Sequence, residues 1–454
     1  MAVGRRGMSE SRILLAGGWV ISMDPGIGDL RRADVLIEGK RIAAIAPRIE
    51  APDAEQVDAS RMIVLPGFID THRHTWQTCV RHRYADIDPQ IYFAEMLGHK
   101  GAAFRPEDVY IGTLLGAVSA LDSGTTTLLD WSHVQNTPEH SDAAVLALRD
   151  AGIRAVFGHG WPLVEGQSWM FDSERGHPED IRRLKLRYFS SEDQLLTLAM
   201  AARGPEMARP HVWQQDLQLA RELGIRSSIH MGAYARNAPV RAIAQMQAAD
   251  ALGSDLTFVH CCFSGDDELA MMADAGVTAS LGVHCELNSQ GIGDIPLDRL
   301  LAAGIRPSLS GDTETKCAGD MFTQMRHAFA HYRSWMGGGH SRARNAPSSL
   351  TLRDVLEFAT VAGAQATGLA ARTGTLTPGK QADVILIRQD DLNLAPVSDA
   401  VGAVVLAAHP GNVDSVFVAG RAVKRHGRMV GLALDDIRER ATASQRAILH
   451  PPSS

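Results

Sequence analysis

The sequence is short of the features that would set it apart from an ordinary globular enzyme. It has five cysteines, an odd number, with Cys261 and Cys262 adjacent and no Cys-x-x-Cys pair. That excludes a disulfide framework and makes a reducing cytoplasm the expected location. Charge of one sign never accumulates: the net charge of −7 is spread over 454 residues. Without a basic footprint, nucleic acid is not an expected partner. No apolar run approaches the roughly 20 residues needed to cross a bilayer, so no membrane partner is expected either. The start, "MAVGRRGMSESRILLAGGWV", carries only a short apolar stretch interrupted by Gly17-Gly18, and reads as a ragged end followed by a strand, not a signal peptide. Repeats shorter than a βα unit are missing. The one biased segment, "GGGHSRARNAPSS" (337–349), reads as an exposed loop.

What is present is an ordinary globular balance of 45% hydrophobic and 21% charged residues, in a length that allows one large α/β domain with a smaller companion or three modest domains. The first 65 residues are β-rich, in "RILLAGGWVISMD", "ADVLIEGKRIAAIA" and "RMIVLPG". The same texture returns in "ADVILIRQ", "AVVLAA" and "VDSVFVAGRAVKRHG". Between these ends, apolar strands alternate with helix-length segments. The eight strands are expected at 65–74, 125–133, 153–161, 194–202, 225–231, 256–263, 277–284 and 305–312. Segments such as "PEDVYIGTLLGAVSALDSG" and "WQQDLQLARELG" supply helices between them. Eight βα units predict a closed (β/α)8 barrel in preference to an open doubly wound sheet.

Barrel chemistry sits at the carboxyl ends of the strands. At those ends stand His72 and His74, His133, His159, His230, His260, His284 and Asp312. Alternate residues on a strand share a face, so His72 and His74 point the same way. Imidazole nitrogens with a carboxylate oxygen suit zinc and similar divalent ions. An HxH pair alone says little. Joined by histidines from the fifth and sixth strands and an aspartate from the eighth, it predicts a metal site.

This ordered series resembles the amidohydrolase superfamily, in its mononuclear cytosine-deaminase-like and triazine-hydrolase-like branch. The resemblance runs through "PGFIDTHRH", "ALDSGTTTLLD", "IHM", "FVHC", "LLAAGIRPSLSGDTE", "DMFTQMRHA" and "ATVAGAQATGLAARTGTLTPGKQADVILI". It implies a barrel over 66–368, with a composite β-sandwich built from 1–65 and 369–430, and a C-terminal helix and tail over 431–454. It implies His72, His74, His230 and Asp312 as ligands of one divalent metal, zinc first, with iron, cobalt or manganese as alternatives. The lysine that bridges two metals in binuclear branches has no counterpart in "LLTLAMAARGP". Such a metal lowers the pKa of a coordinated water toward ~7. Asp312 is then the base for that water, and His260 faces the water or the substrate. A homo-oligomer is the family's expectation. The HxE…PCxxC zinc arrangement of nucleobase deaminases is absent.

One departure bears on the reaction. Deaminases of this branch read His-x-x-Glu on the fifth strand, and the glutamate moves protons. Here the segment is His230-Met231-Gly232-Ala233. Glu286, in "HCELNSQG" where the branch commonly has proline, is the candidate replacement; the alternatives are a solvated loop glutamate or a charge at a helix N-terminus. Trp76, Trp131, Trp161 and Trp169 follow the first three strands and suggest an aromatic pocket wall, and Trp76, Trp161, His133 and His284 are the candidate substrate contacts. The insertion 162–189 is a lid candidate. The expected function is metal-dependent hydrolysis of a non-peptide C–N bond (amide, urea, carbamate or amidine) in a small aromatic or heterocyclic substrate. Alternatives are deamination of a heterocycle with Glu286 as proton shuttle, hydrolysis of a modified peptide amide, and a catalytically silent scaffold.

Overall fold

The β-rich chain ends form one sheet. The structure, a computed structural model, describes residues 11–450 except Gln290, Arg342 and Arg344. The ragged start and the last four residues of the tail lie outside the described residues, as do two positions of the 337–349 loop. From the amino end come β1 (Arg12–Ile21), β2 (Asp29–Glu38), β3 (Arg41–Ala46), β4 (Glu55–Asp58) and β5 (Met62–Pro66). From the carboxyl end come β14 (Val384–Arg388), β15 (Val413–Val418), β16 (Arg421–Arg425) and β17 (Arg428–Met429). The sheet order is β17-β16-β15-β14-β5-β1-β2-β3, with β4 parallel beside β1. The two ends meet where β14 runs antiparallel to β5, Ile385 opposite Leu65. Their alternate residues, Ile13, Leu15, Val35, Val64, Val384 and Phe417 among them, share a small core.

The eight barrel strands are β6 (Phe68–Arg73), β7 (Thr125–Ser132), β8 (Arg154–His159), β9 (Leu196–Ala202), β10 (Arg226–Met231), β11 (Leu256–His260), β12 (Thr278–Leu281) and β13 (Ser308–Leu309). They are parallel and lie side by side in chain order. Nearly every residue along them is buried, as expected when helices cover the outside of a barrel. β13 is only two residues long because Pro307 has no N–H to give a ladder. Its place is secured by hydroxyls: Thr71 of the first strand shares hydrogen bonds with Ser280 (2.7 Å) of the seventh and Ser308 (2.8 Å) of the last. The barrel closes just beyond, where the Asp312 N–H donates to the His72 carbonyl (2.9 Å) and the His74 N–H to the Asp312 carbonyl (2.8 Å). Closure therefore runs through the main chain of His72, His74 and Asp312.

The passage from sheet to barrel occurs at Gly67, whose N–H donates to the Asp383 carbonyl at 3.0 Å. A Cβ there would sit 2.1 Å from the Thr126 hydroxyl oxygen, so only glycine fits. Behind this joint, Arg154 of β8 meets the Asp383 carboxylate in a buried two-pronged pair (2.6 and 3.0 Å). Asp383→Ala strands a buried guanidinium and is expected to cost about 3–5 kcal/mol. A fall in apparent melting temperature checks this; an unchanged one would show that the joint is not held by this pair.

"AVVLAA" corrects one expectation. It is helical, continuing from Ala400–Gly402 through Ala403–Ala407, not β. The Asp399 side chain accepts from the Val401 N–H and starts the turn. Val404 and Val405 are fully buried, and Arg326 of the helix Met321–Gly337 donates to the carbonyls of Leu406 and Ala408. A short apolar run fits either periodicity, and packing decided it. The 162–189 insertion is tied down. Its His177 is bonded to His159 at 2.9 Å and, through its N–H, to Asp216, which Arg203 also grips. Its Met170 forms part of the cavity wall described next.

Candidate metal centre and active-site cavity

His72 and His74 leave the end of β6 on one face, while Arg73 between them turns the other way. Arg73 is buried between Asp70 (3.6 Å) and Glu314 (3.7 Å), which pins the strand end. His230, near the end of β10, brings its Nε2 to 3.1 Å from the His72 Nε2. An Asp312 oxygen lies 3.5 Å from the Nε2 of both His72 and His74. Ligand atoms of the three histidines all fall within 4.8 Å of one another. The His74 Nδ1 is 2.8 Å from the Trp131 carbonyl, which can only accept. The proton of that ring is therefore on Nδ1, and Nε2 presents a lone pair to the cluster.

The electrostatics agree with a cation. Burial pushes His74 down to about 3, and His230 and His72 below the ordinary histidine range. Burial alone would favour a neutral Asp312, but the hydrogen bond with His72 and the charge of His260 hold its carboxyl well below the usual range. Neutral imidazoles beside an ionised carboxylate are the protonation states a divalent ion requires. Asp312 (φ +48°) and His260 (φ +76°) both have left-handed backbone, a strain that persists where the fold over-determines a functional position.

His74, His230 and Asp312 face a cavity that opens to solvent. Aromatic rings line it: Tyr92, Phe93, Trp131, Trp161 and Tyr234, with the His133 ring 4.7 Å from His74. His260 also faces it, and donates from Nδ1 to Glu286 at 3.0 Å. Burial opposes protonation of His260, but the Glu286 and Asp312 carboxylates hold it above the usual range.

Of the expected contacts, the cavity brings together His74, His230, Asp312, His260, His133 and Trp161, with His72 buried beneath. Three corrections follow. Trp76 is fully buried in the turn after β6, packed on Phe104 behind the wall, and does not line the cavity. His284 turns away because β12 ends at Leu281 and the chain coils into a short helix, Val283–Asn288; its ring stacks on His327 at 4.6 Å. Glu286, on that same helix, accepts from His260 and from the Gly282 N–H. It stands behind His260, outside the cavity wall, so a shuttle between water and substrate is not its role.

A second carboxylate, Glu206, lines the cavity beside Asp312 and is not among the sequence-predicted site residues. It sits in the Gly-Pro turn after β9 and accepts from the Gly232 N–H at 2.7 Å, next to Ala233. Burial pushes it up to about 7. The available signal in the sequence is a charged residue just past a strand end.

A family model described as the amidohydrolase family matches residues 63–423. Over 430 residues the chain is 28% identical to a 5-methylthioadenosine/S-adenosylhomocysteine deaminase of Symbiobacterium thermophilum, covering 91% of this chain and 93% of that one. Over 454 residues it is 25% identical to a 5′-deoxyadenosine deaminase of Methanosarcina mazei, covering 94% and 96%. Among solved structures, a zinc-bound adenosine deaminase from Xanthomonas campestris superposes with a TM-score of 0.83 at 20% identity, covering 97% and 99%. The atrazine chlorohydrolase of Arthrobacter aurescens, complexed with zinc, superposes with a TM-score of 0.83 at 21% identity, covering 95% and 100%.

Proposed function

The chain belongs to the amidohydrolase family and is a metal-dependent hydrolase acting on C–N bonds; from that premise we propose that it releases ammonia from an amino-substituted heterocycle. The observation that carries this reading is the Glu206 carboxyl, present in the cavity beside Ala233. The preference for amide or urea cleavage rested on the lack of a carboxylate at position 233. Glu206 removes that reason, and the deaminases among the relatives point the same way.

His72, His74, His230 and Asp312 are the residues that would hold the ion. Zinc is the first choice, because two neighbours of the same fold were crystallised with it. The ion supplies Lewis acidity and makes a water molecule a nucleophile near neutral pH. This chain's own residues do the rest. Asp312 accepts a proton from the attacking water. Glu206 donates one to the ring nitrogen as the carbon becomes tetrahedral. His260, oriented by Glu286, donates a hydrogen bond to the new oxygen. Asp312 then passes its proton to the amino group, which leaves as ammonia, and the hydroxyl proton returns to Glu206 as the carbonyl forms. The aromatic wall, with Trp131 and Trp161 at 5.3 Å, offers a flat ring apolar surface on which to lie.

The test is product analysis of metal-loaded protein with a panel of aminopurine nucleosides, other aminated heterocycles, aryl amides and ureas. Ammonia release from a heterocycle is expected. Release of a larger amine, with no ammonia from any heterocycle, would overturn the reading.

A further inference from the structure

Five lysines and arginines are buried among the described residues: Arg73, Arg154, Arg203, Lys316 and Lys424. Four of them face carboxylates: Arg73 meets Asp70 and Glu314, Arg154 meets Asp383, Arg203 meets Asp216, and Lys424 meets Asp122. Lys316 is the exception. It is 7% exposed and lines the active-site cavity, and no described carboxylate comes within 4 Å of its ammonium. Its one close partner is the face of Tyr92, with Nζ 4.3 Å from the ring centroid. That contact holds the ammonium in place without neutralising it.

An ammonium removed from water without a counter-charge is costly, and proteins rarely tolerate one unless something else supplies the anion. The cavity offers a second cation, at its exposed rim. Arg236 lies over the rings of Tyr234 (4.8 Å) and Phe93 (5.6 Å), lines the cavity and makes no ion pair with a described residue. Lys316 and Arg236 thus both rest on aromatic faces in the cavity that holds the metal-ligand cluster. The cavity's own carboxylates are otherwise engaged: Asp312 with the histidines and Glu206 with the Gly232 N–H.

We infer that the substrate carries an anionic group, a carboxylate or a phosphate ester, and that Lys316, assisted by Arg236, binds it. The inference rests on reading this cavity as the substrate site and adds a class to it: an amino-heterocycle with an acidic arm. Lys316 acts as the point charge in the buried part of the cavity. Arg236, exposed, presents its fork from the rim.

The test uses three small probes of one shape, benzoate, phenyl phosphate and neutral benzamide. Each is titrated calorimetrically, at fixed ionic strength, into the metal-loaded protein and into Lys316→Met and Lys316→Arg. Either anion is expected to bind wild type more tightly than benzamide. Lys316→Met should lose about 10- to 100-fold in affinity for that anion, as for a charged hydrogen bond, leave benzamide unchanged, and be largely rescued by Lys316→Arg. Which anion shows the larger loss identifies carboxylate or phosphate. The apparent melting temperature of Lys316→Met should be equal or higher, since an unpaired buried charge is removed. No preference for either anion in wild type, or an equal loss for all three probes, would overturn the inference. Because binding is read without turnover, failure here is separable from failure of the ammonia assay. Ammonia release from neutral heterocycles at equal kcat/KM in wild type and Lys316→Met would reject the acidic arm and leave deamination standing.

Discussion

Asp312→Asn lowers kcat/KM by about 10⁴-fold or more, the combined loss of a metal-facing charge and a general base. That is about 5 kcal/mol of transition-state stabilisation. The substitution is informative because it spares the fold. Barrel closure at this position uses main-chain groups, the Asp312 N–H to His72 and the Asp312 carbonyl to His74, which asparagine keeps. The backbone is left-handed at φ +48°, a conformation asparagine adopts more readily than most residues. Alanine would mix strain with chemistry. The expected result is a folded protein with an unchanged circular-dichroism spectrum, reduced metal content by elemental analysis, and turnover near background. More than about a tenth of wild-type activity, with metal retained, would remove Asp312 from the proton-transfer role.

The metal cluster could be read from sequence because it obeys two simple periodicities. His72 and His74 are two apart on one strand, and His230, His260 and Asp312 stand at or just past the ends of the fifth, sixth and eighth parallel strands. Barrel topology then brings those ends together without further information. The misreadings share a cause as well: each assumed a strand or its direction where the chain had already turned. The sequence pattern puts His284 at the end of the seventh strand, but the helix beginning at Val283 swings it onto His327. Trp76 follows the first strand by only a few residues, yet the tight turn Thr75–Val80 folds it behind the wall. Val404 and Val405 form a run too short for its period to separate helix from strand, and the neighbouring helix decided the matter. Glu206 and Lys316 lie in irregular segments, where no periodicity predicts direction. Their importance becomes visible only through what surrounds them, a main-chain N–H beside Ala233 for one and the missing counter-charge for the other.

Glu206→Gln lowers kcat by about 10²–10⁴-fold with little change in KM, the range for loss of a positioned general acid. Glutamine keeps the size of the side chain and its acceptor for the Gly232 N–H, so the turn after β9 should hold. What it loses is the transferable proton. In the folded protein burial raises the Glu206 carboxyl to about 7, so it is an acid near neutral pH, and a cation bound nearby draws that value down. The sign follows: where the protonated form is needed, wild-type kcat falls as pH rises through the folded value, and Glu206→Gln flattens that limb. Glu286→Gln behaves differently, because an amide oxygen still accepts from the His260 Nδ1; its smaller loss should leave the limb in place. The decisive variant adds Ala233→Glu to Glu206→Gln. The Glu206 carboxylate is anchored to the N–H of the residue preceding Ala233, so a carboxyl grafted onto position 233 enters the same region of the cavity from the neighbouring strand. Partial recovery of kcat and return of the limb would mean that the reaction needs a carboxyl at that place and that two strands can each supply it. No recovery, with Glu206→Gln itself near wild type, would mean the proton travels by another route and Glu206 only holds the turn.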